Sequence, residues 1–172
     1  MDKVIADAEN VDLSKEHILD ITNNGCDVVV YHNLGNYGSI QDLPGEKGAV
    51  ILLYEMKQNF GHWVAMFYTN EEKNEIEFFD SYGFAPDEEL DYAKYDDQPF
   101  LGEMLKTTNL NIIHNKTRLQ VFKHDVNTCG RWTAMRIVMR KTPLQTFVNL
   151  FKNKGNYGGD WMVSALTFLA TY

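Results

Sequence analysis

Three strand-like segments between residues 49 and 83 constrain the fold of this chain more than any other feature. The segment AVILLYEM (49–56) is a nearly continuous apolar run, as expected for the central strand of a sheet. GHWVAMFYT (61–69) follows a polar turn, and EIEFFDSYG (75–83) follows NEEKN, which suits a hairpin connection. The three segments together predict an antiparallel meander.

Helical patterns lie on both sides of this meander. Ser14 is placed to cap a helix over 15–23, Thr142-Pro143 separates two helices, and Asp160 is placed to cap the last one. We therefore predict an α+β fold, in which a central, mostly antiparallel sheet packs against helices. The length of 172 residues suits one domain over 1–172, with 1–13 as a candidate flexible segment.

The charge and composition exclude several classes of partner. The net charge of −8 argues against nucleic acid as the main partner, although the basic segment 116–154 leaves a weak local contact open. No apolar run approaches the length of a membrane span, and the first residues do not resemble a signal peptide. Because the chain has only two cysteines, we expect an intracellular, reducing location. We also expect a monomer.

Cys129 lies where a polar loop turns into a helical pattern. Asn127 or Thr128 can cap that helix, and a helix N-terminus favours the thiolate form of a cysteine. Gly130 would leave room for a substrate backbone. From this segment alone, a nucleophile and a buried core cysteine are equally good interpretations.

His62 and Asp80 can supply the base and its orienting acid. His62 follows a glycine turn at the start of one predicted strand, and Asp80 lies at the end of the neighbouring strand. His124 is the local rival, since it lies five residues before Cys129. Gln120, nine residues before Cys129, could donate to an oxyanion together with the Cys129 N–H.

The sequence does not suggest a metal or a cofactor. It contains no paired-cysteine motif and no histidine pair at i, i+4 spacing. We therefore expect neither a metal site nor an organic cofactor.

The order of these motifs, GHW, FFDSYG, RLQ and NTCGRW, resembles that of the cysteine peptidases that include the SUMO-specific proteases and the adenovirus maturation protease. The resemblance covers roughly 49–140. It implies a papain-like α+β domain with Cys129 as nucleophile, His62 as general base and later acid, Asp80 as orienting acid and Gln120 as oxyanion donor. The separation of Gln120 from Cys129 is longer than is usual in that family.

The resemblance also implies a substrate and a cleft. Trp63 matches the aromatic residue that shields the catalytic pair, and we add Gly130 and Trp132 as candidate cleft residues. The substrate would be a protein cleaved after small or Gly-rich segments.

The compact chain and the CGRW motif are most similar to viral proteases of the adenovirus-like, virophage and giant-virus lineages. We therefore expect processing of capsid or scaffold proteins during virion maturation, with a peptide activator as one option. The protease would act in the host cytoplasm or virus factory and be packaged in the virion. The alternatives are an isopeptidase that removes ubiquitin or a SUMO-type modifier, an acetyltransferase of related Cys-His-acid layout, and an inactive binding module.

Overall fold

The centre of the protein is a five-stranded sheet in the spatial order β1-β2-β3-β4-β5, seen in a computed structural model that describes residues 2–93, 98–152 and 158–170. The strands are β1 (Asp27–Val30), β2 (Ala49–Lys57), β3 (Phe60–Tyr68), β4 (Glu75–Phe79) and β5 (Asn111–His114). The order in space equals the order in sequence.

The sheet is mixed. β2, β3 and β4 form the predicted antiparallel meander, whereas β1 runs parallel to β2 and β5 runs parallel to β4. The expectation of a mostly antiparallel sheet therefore holds for the three central strands and not for the edges. The reason is the long connections over 31–48 and 80–110, because a parallel neighbour requires a crossover and not a hairpin.

Helices pack against both faces of the sheet. They are α1 (Asp2–Glu9), α2 (Lys15–Ile21), α3 (Phe100–Thr107), α4 (Cys129–Val138), α5 (Leu144–Phe151) and α6 (Gly159–Thr167). The acidic region between β4 and α3 adds a one-turn 3₁₀ helix, Glu88–Asp91.

The continuous apolar run of β2 is explained by its position between two cores. Ala49, Ile51 and Leu53 face the core that includes α4, α5 and α6. Val50 and Leu52 face the opposite core, which α3 covers. Because successive side chains of a strand point to opposite faces, only a strand covered on both sides needs this pattern.

The first residues differ from the expected flexible segment over 1–13. Residues 2–9 form α1, which contacts α6. Ile5, Ala8 and Leu13 are buried. The sequence hides this because α1 is short and carries few apolar residues, so its order depends on the neighbour that it covers.

Two features bear on the expected partners. Within 2–93, 98–152 and 158–170, none of the helices is both apolar and long enough to pass through a bilayer. The basic segment 116–154 presents less charge than its composition indicates, because the Arg131 and Arg136 side chains are buried.

Candidate active site

His62 and Asp80 are brought together by the pairing of β3 with β4. In this register Ala65 lies opposite Phe79, and Asp80 follows directly after β4. His62 Nε2 lies 3.0 Å from Asp80 Oδ2, and both side chains are buried. Sheet pairing therefore joins an imidazole to a carboxylate across 18 residues of sequence.

Asp80 is held rigidly by its surroundings. Its Oδ1 accepts a hydrogen bond from the Tyr82 N–H at 2.7 Å, and its carbonyl oxygen accepts one from Asn115 Nδ2 at 2.7 Å. The Gly83 N–H also donates to that carbonyl, so Asp80 begins a turn as well as orienting His62. A carboxylate fixed in this way holds the imidazole ring in one orientation.

Gly61, directly before His62, is required by the close approach of β2. A Cβ atom at this position would lie 1.8 Å from the Tyr54 carbonyl oxygen, beside the irregular pairing between Glu55 and Lys57. Any side chain here would push β3 away from β2. The glycine thus allows His62 to lie on a buried, rigid strand.

The environment of His62 favours its protonated form. Burial by itself would lower the pKa of the imidazolium, but Asp80, the hydrogen bond with Cys129 and the nearby Glu89 carboxyl raise the pKa well above its usual range. The Tyr82 ring stacks on the imidazole, with centroids 5.0 Å apart and planes 18° apart. Because Nε2 faces Asp80, Nδ1 is the nitrogen left for the thiol.

Cys129 is the first residue of α4, as the sequence predicts. Thr128 occupies the N-cap position, and the thiol-bearing residue is 8% exposed. The N-terminal end of a helix stabilises negative charge, and Cys129 is among the groups that raise the pKa of His62. Proton transfer from Cys129 to His62 would therefore produce a stabilised thiolate–imidazolium pair.

Cys26 is the natural comparison for Cys129. Its side chain is 0% exposed, burial raises the pKa of its thiol, and it lies 3.6 Å from the Thr22 hydroxyl. It has no imidazole partner among the contacts that the structure describes.

We expect iodoacetamide to modify Cys129 at least about tenfold faster than Cys26 near neutral pH, because the thiolate is the reacting species. Peptide mapping by mass spectrometry after short exposures measures both rates. His62→Ala should slow the reaction at Cys129 and leave Cys26 unchanged. Equal rates at the two cysteines would contradict an activated Cys129.

Gln120 is positioned by Ser81, the residue that follows Asp80. The Ser81 hydroxyl donates to Gln120 Oε1 at 2.7 Å, and the Gln120 N–H donates to the Ser81 carbonyl at 3.0 Å. Gln120 Nε2 donates one hydrogen to the Val126 carbonyl, which leaves its second hydrogen for a ligand. The Asp-Ser dipeptide therefore orients the imidazole and the amide from one strand end.

The loop between Gln120 and Cys129 is anchored by Asp160, whose role the sequence did not reveal. The carboxylate accepts hydrogen bonds from the Val121 N–H, the Thr128 hydroxyl and the Trp132 indole N–H. We expected Asp160 to cap α6, but Gly158 occupies the N-cap position. Its buried carboxylate instead ties α6 to both ends of the catalytic loop.

None of the three candidate cleft residues, Trp63, Gly130 and Trp132, lines the cleft beside His62 that is described below. Trp132 is fully buried and packs edge-on against Phe147 and Phe151, because its helix face points to the core. A Cβ at Gly130 would meet Leu13 and Trp63 at 3.1 Å, so the glycine accommodates the protein's own packing and not a substrate.

Trp63 lies beside Cys129 in the core cluster that includes α4. Its indole N–H donates to the Leu13 carbonyl oxygen at 3.2 Å, and the side chain is buried. Trp63 thus fastens the N-terminal segment near the start of α4, and its shielding of the thiol–imidazole pair stays a prediction.

A cleft of about 180 Å³ opens next to His62. It is lined by His62, Gln120, Glu89 and Asn127 together with apolar and aromatic residues, which include Phe84, Tyr92 and Phe122. Phe122 and Tyr92 are exposed, so the aromatic wall is open to a ligand. The base candidate and the amide donor candidate therefore face the same cleft.

Glu89 is a site residue that could not be identified from the sequence. It is one of eleven acidic residues between 71 and 97, most of which suggest a solvated surface. In the structure its Oε1 lies 3.6 Å from His62 Nε2, and burial, the largest cause, raises the pKa of its carboxyl to about 7. Side-chain nitrogen and oxygen atoms of His62, Asp80 and Glu89 therefore lie within 4.8 Å of one another.

Comparison with known proteins places this geometry in context. No family model matches the chain. The ASFV pS273R protease has the same fold, with a TM-score of 0.51, 14% identity, and coverage of 93% of this chain and 68% of that protein. The Ulp1 SUMO protease, solved in complex with Smt3, the yeast ortholog of SUMO, aligns with a TM-score of 0.44 and 17% identity over 99% of this chain and 74% of its own.

The sequence has a nearer relative. Protein V9 of the Sputnik virophage is 36% identical over 146 residues, which cover 81% of this chain and 82% of V9. Identity at this level over most of both chains indicates common descent and a shared fold. The chain therefore belongs to the same protein family as protein V9 of the Sputnik virophage.

Proposed function

We propose that the protein is a cysteine endopeptidase. The observation that carries this proposal is the grouping of four side chains: Cys129 at a helix start, His62 held by Asp80 and affected by the thiol, and the Gln120 amide, which is oriented by Ser81 and faces the same cleft as His62. Each group answers one requirement of acyl transfer through a thiol. The fold of the ASFV pS273R protease supports the same chemistry.

In the acylation step, Cys129 Sγ gives its proton to His62 Nδ1 and attacks the scissile carbonyl carbon. The new C–S bond moves the carbonyl electrons onto oxygen, and the Cys129 N–H and the Gln120 amide donate to this oxyanion. When the tetrahedral intermediate collapses, the C–N bond breaks. The His62 imidazolium then protonates the departing amine.

In the deacylation step, neutral His62 removes a proton from water, which attacks the thioester carbon. The C–S bond breaks, and the proton on His62 returns to the Cys129 sulfur as the new carboxylic acid leaves. Asp80 orients the ring throughout and stabilises its positive charge without accepting the proton.

We further propose that the substrates are capsid or scaffold proteins cleaved after small or Gly-rich segments during virion maturation. The low exposure of Cys129, 8%, is compatible with a substrate segment whose side chains are small. Membership in the family of a virophage protein supports a viral role. A reducing host compartment and packaging in the virion are further parts of this proposal. Removal of a ubiquitin-like modifier by the same chemistry is the second candidate.

One comparative assay separates the classes. The reduced protein is incubated with peptides containing Gly-Gly or Gly-X-Gly, with a ubiquitin-like modifier fusion, and with acetyl-CoA plus an acceptor protein, and products are identified by mass spectrometry. We expect cleaved peptides, and we expect iodoacetamide to prevent the cleavage. Cleavage of the fusion alone would assign the protein to modifier removal. Acetyl transfer, or no reaction with any substrate, would contradict the endopeptidase proposal.

We expect Gln120→Ala to reduce kcat by about 10²–10³, because one oxyanion donor is worth about 2.7–4 kcal/mol. Initial rates with a cleaved peptide measure this loss. Gln41→Ala is the matched control, since Gln41 is an exposed glutamine whose amide contacts Thr108, away from the cleft. Equal kcat for Gln120→Ala and the unmodified protein would remove Gln120 from the oxyanion site.

A further inference from the structure

Two carboxyl groups lie close to Nε2 of His62. Asp80 Oδ2 lies 3.0 Å from Nε2 and forms the hydrogen bond, whereas Glu89 Oε1 lies 3.6 Å from the same nitrogen. Glu89 is 7% exposed, and its Oε1 has no hydrogen-bond donor among the described residues. A buried carboxyl oxygen without a donor is destabilising, so its position requires an explanation.

The neighbouring Asp87 fixes the segment that carries Glu89. Asp87 precedes the 3₁₀ helix Glu88–Asp91 with a positive φ of 70°. Its carboxylate accepts hydrogen bonds from the Tyr31 hydroxyl at 2.5 Å, the Tyr54 hydroxyl at 3.2 Å and the Gly102 N–H at 2.6 Å. Contacts from three other parts of the chain therefore hold Glu89 against His62 instead of allowing it to turn to solvent.

We propose that Glu89 is a positioning residue of the catalytic site, a second carboxyl group that stabilises the His62 imidazolium by its charge while Asp80 orients the ring. This role rests on the proposed peptidase chemistry, since it concerns the same imidazole. Glu89 acts through His62 and forms no bond with the substrate.

The ionisation of Glu89 makes this support depend on pH. Burial is the largest cause that raises the pKa of its carboxyl from 4.5 to about 7; Asp80 and Glu88 add to the increase, and His62 opposes it. Below that pKa the Glu89 carboxyl is neutral and stabilises the His62 imidazolium little. Above it the carboxylate stabilises the imidazolium, in the range where an ordinary imidazole, with a pKa of about 6.5, has lost its proton.

The other titratable groups near this pair come from the surrounding elements. Those that the structure describes are Asp80 and Tyr82 after β4, Glu88 and Tyr92 beside Glu89, and Cys129 on α4. Asp87 is engaged by the two tyrosine hydroxyls and the Gly102 N–H. Among these neighbours, Glu89 is a carboxyl whose pKa is raised to about 7 next to His62.

The test is a pH titration of the His62 imidazole by NMR in the full-length, reduced protein. Histidine ring nitrogens are observed in labelled protein, and a His62→Ala spectrum assigns the signal among the five histidines. We expect Glu89→Gln to lower the His62 midpoint by about one pH unit or more, because it removes a negative charge within about 4–6 Å. Glu89→Asp keeps the carboxylate but shortens the side chain by one methylene, so the charge lies farther from the imidazole and the His62 midpoint should be intermediate.

Glu88→Gln is the matched control. It makes the same change of charge one residue away, but Glu88 is exposed, accepts a hydrogen bond from the Ala85 N–H and is not among the groups that affect the pKa of His62 directly. Because Glu88 acts on His62 only through Glu89, we expect its His62 midpoint to move much less than that of Glu89→Gln. The dispersion of the same spectra reports whether each variant is folded.

Peptide cleavage provides the second readout. In Glu89→Gln, kcat/KM should match the unmodified protein below the pKa of Glu89 and fall about tenfold on the alkaline side, because the alkaline limb moves by about one unit. Unchanged His62 midpoints in Glu89→Gln would overturn the role of Glu89 whether or not the protein cleaves peptides. A shifted midpoint in a protein that cleaves no substrate would overturn only the peptidase proposal.

Discussion

Peptide cleavage should fall by about 10⁵-fold or more when either Cys129 or His62 is replaced by alanine. Cys129→Ala removes the atom that forms the acyl-enzyme. His62→Ala removes the group that accepts the thiol proton and later protonates the leaving amine. The double variant should be no worse than either single variant, because the two side chains act as one unit.

The chain offers matched controls for both substitutions. Cys26→Ala removes the other cysteine, which is buried away from the imidazole, and should retain kcat/KM. His124→Ala removes the histidine nearest to Cys129 in sequence, which is exposed in the loop before α4. Rates of peptide cleavage by the four single variants test the assignment of Cys129 and His62. Retention of activity in Cys129→Ala would contradict Cys129 as the nucleophile. Loss of activity in His124→Ala, with full activity in His62→Ala, would contradict His62 as the base.

Arg136→Met should destabilise the protein by about 3–5 kcal/mol, because it leaves a buried carboxylate without its partner. Arg136 Nε and Nη2 donate to the two oxygens of Glu77 at 2.7 and 2.8 Å, and both side chains are 1% exposed. The guanidinium also lies 5.0 Å from the ring centroids of Phe67 and Phe147. Methionine retains part of this packing but leaves the charge of Glu77 buried.

The free energy of unfolding in urea, measured near neutral pH, tests this expectation. Lys106→Met is the matched control: its ion pair with Glu103 has side chains that are 71% and 64% exposed, and such pairs contribute about 0–1 kcal/mol. Arg136→Met combined with Glu77→Leu should recover most of the loss, since an apolar pair can replace a buried ion pair. A loss below about 1 kcal/mol for Arg136→Met would contradict the argument.

The buried ion pair also has a consequence for catalysis. Arg136 lies on α4, which begins with Cys129, and Glu77 lies on β4, which ends directly before Asp80. The pair therefore connects the element that carries the thiol to the strand that carries the orienting acid. Arg136→Met should lower activity as well as stability, and the double apolar variant should restore both.

The elements that could be predicted from sequence are those set by local patterns. The meander was predictable from its apolar runs and its polar turns, and the start of α4 from the polar residues before Cys129. The parallel direction of β1 and β5 was not predictable from sequence, because it depends on where the long connections over 31–48 and 80–110 return to the sheet. For the same reason α1 was not expected, since its order comes from contact with α6.

The candidate site divides in the same way. His62, Asp80, Gln120 and Cys129 could be chosen because each residue type has a chemical task and lies at the end of a strand or the start of a helix. Glu89 and Asp160 could not, because a buried acid and a solvated acid look alike in sequence. The orientation of a single side chain, such as Trp132 toward the core, depends on which face of α4 the neighbours cover.

By itself, the sequence determined the α+β class, the order of the central strands and the four residue types that acyl transfer through a thiol requires. Periodicity, turn residues and chemical necessity are properties of short segments, so they can be read without the fold. Only the tertiary structure decided that two carboxyls face His62, that Ser81 orients Gln120 and that Asp160 anchors the loop before Cys129. These contacts join residues that are far apart in the chain. Burial sets the ionisation of their side chains and the strength of the contacts, and it exists only once the chain has folded.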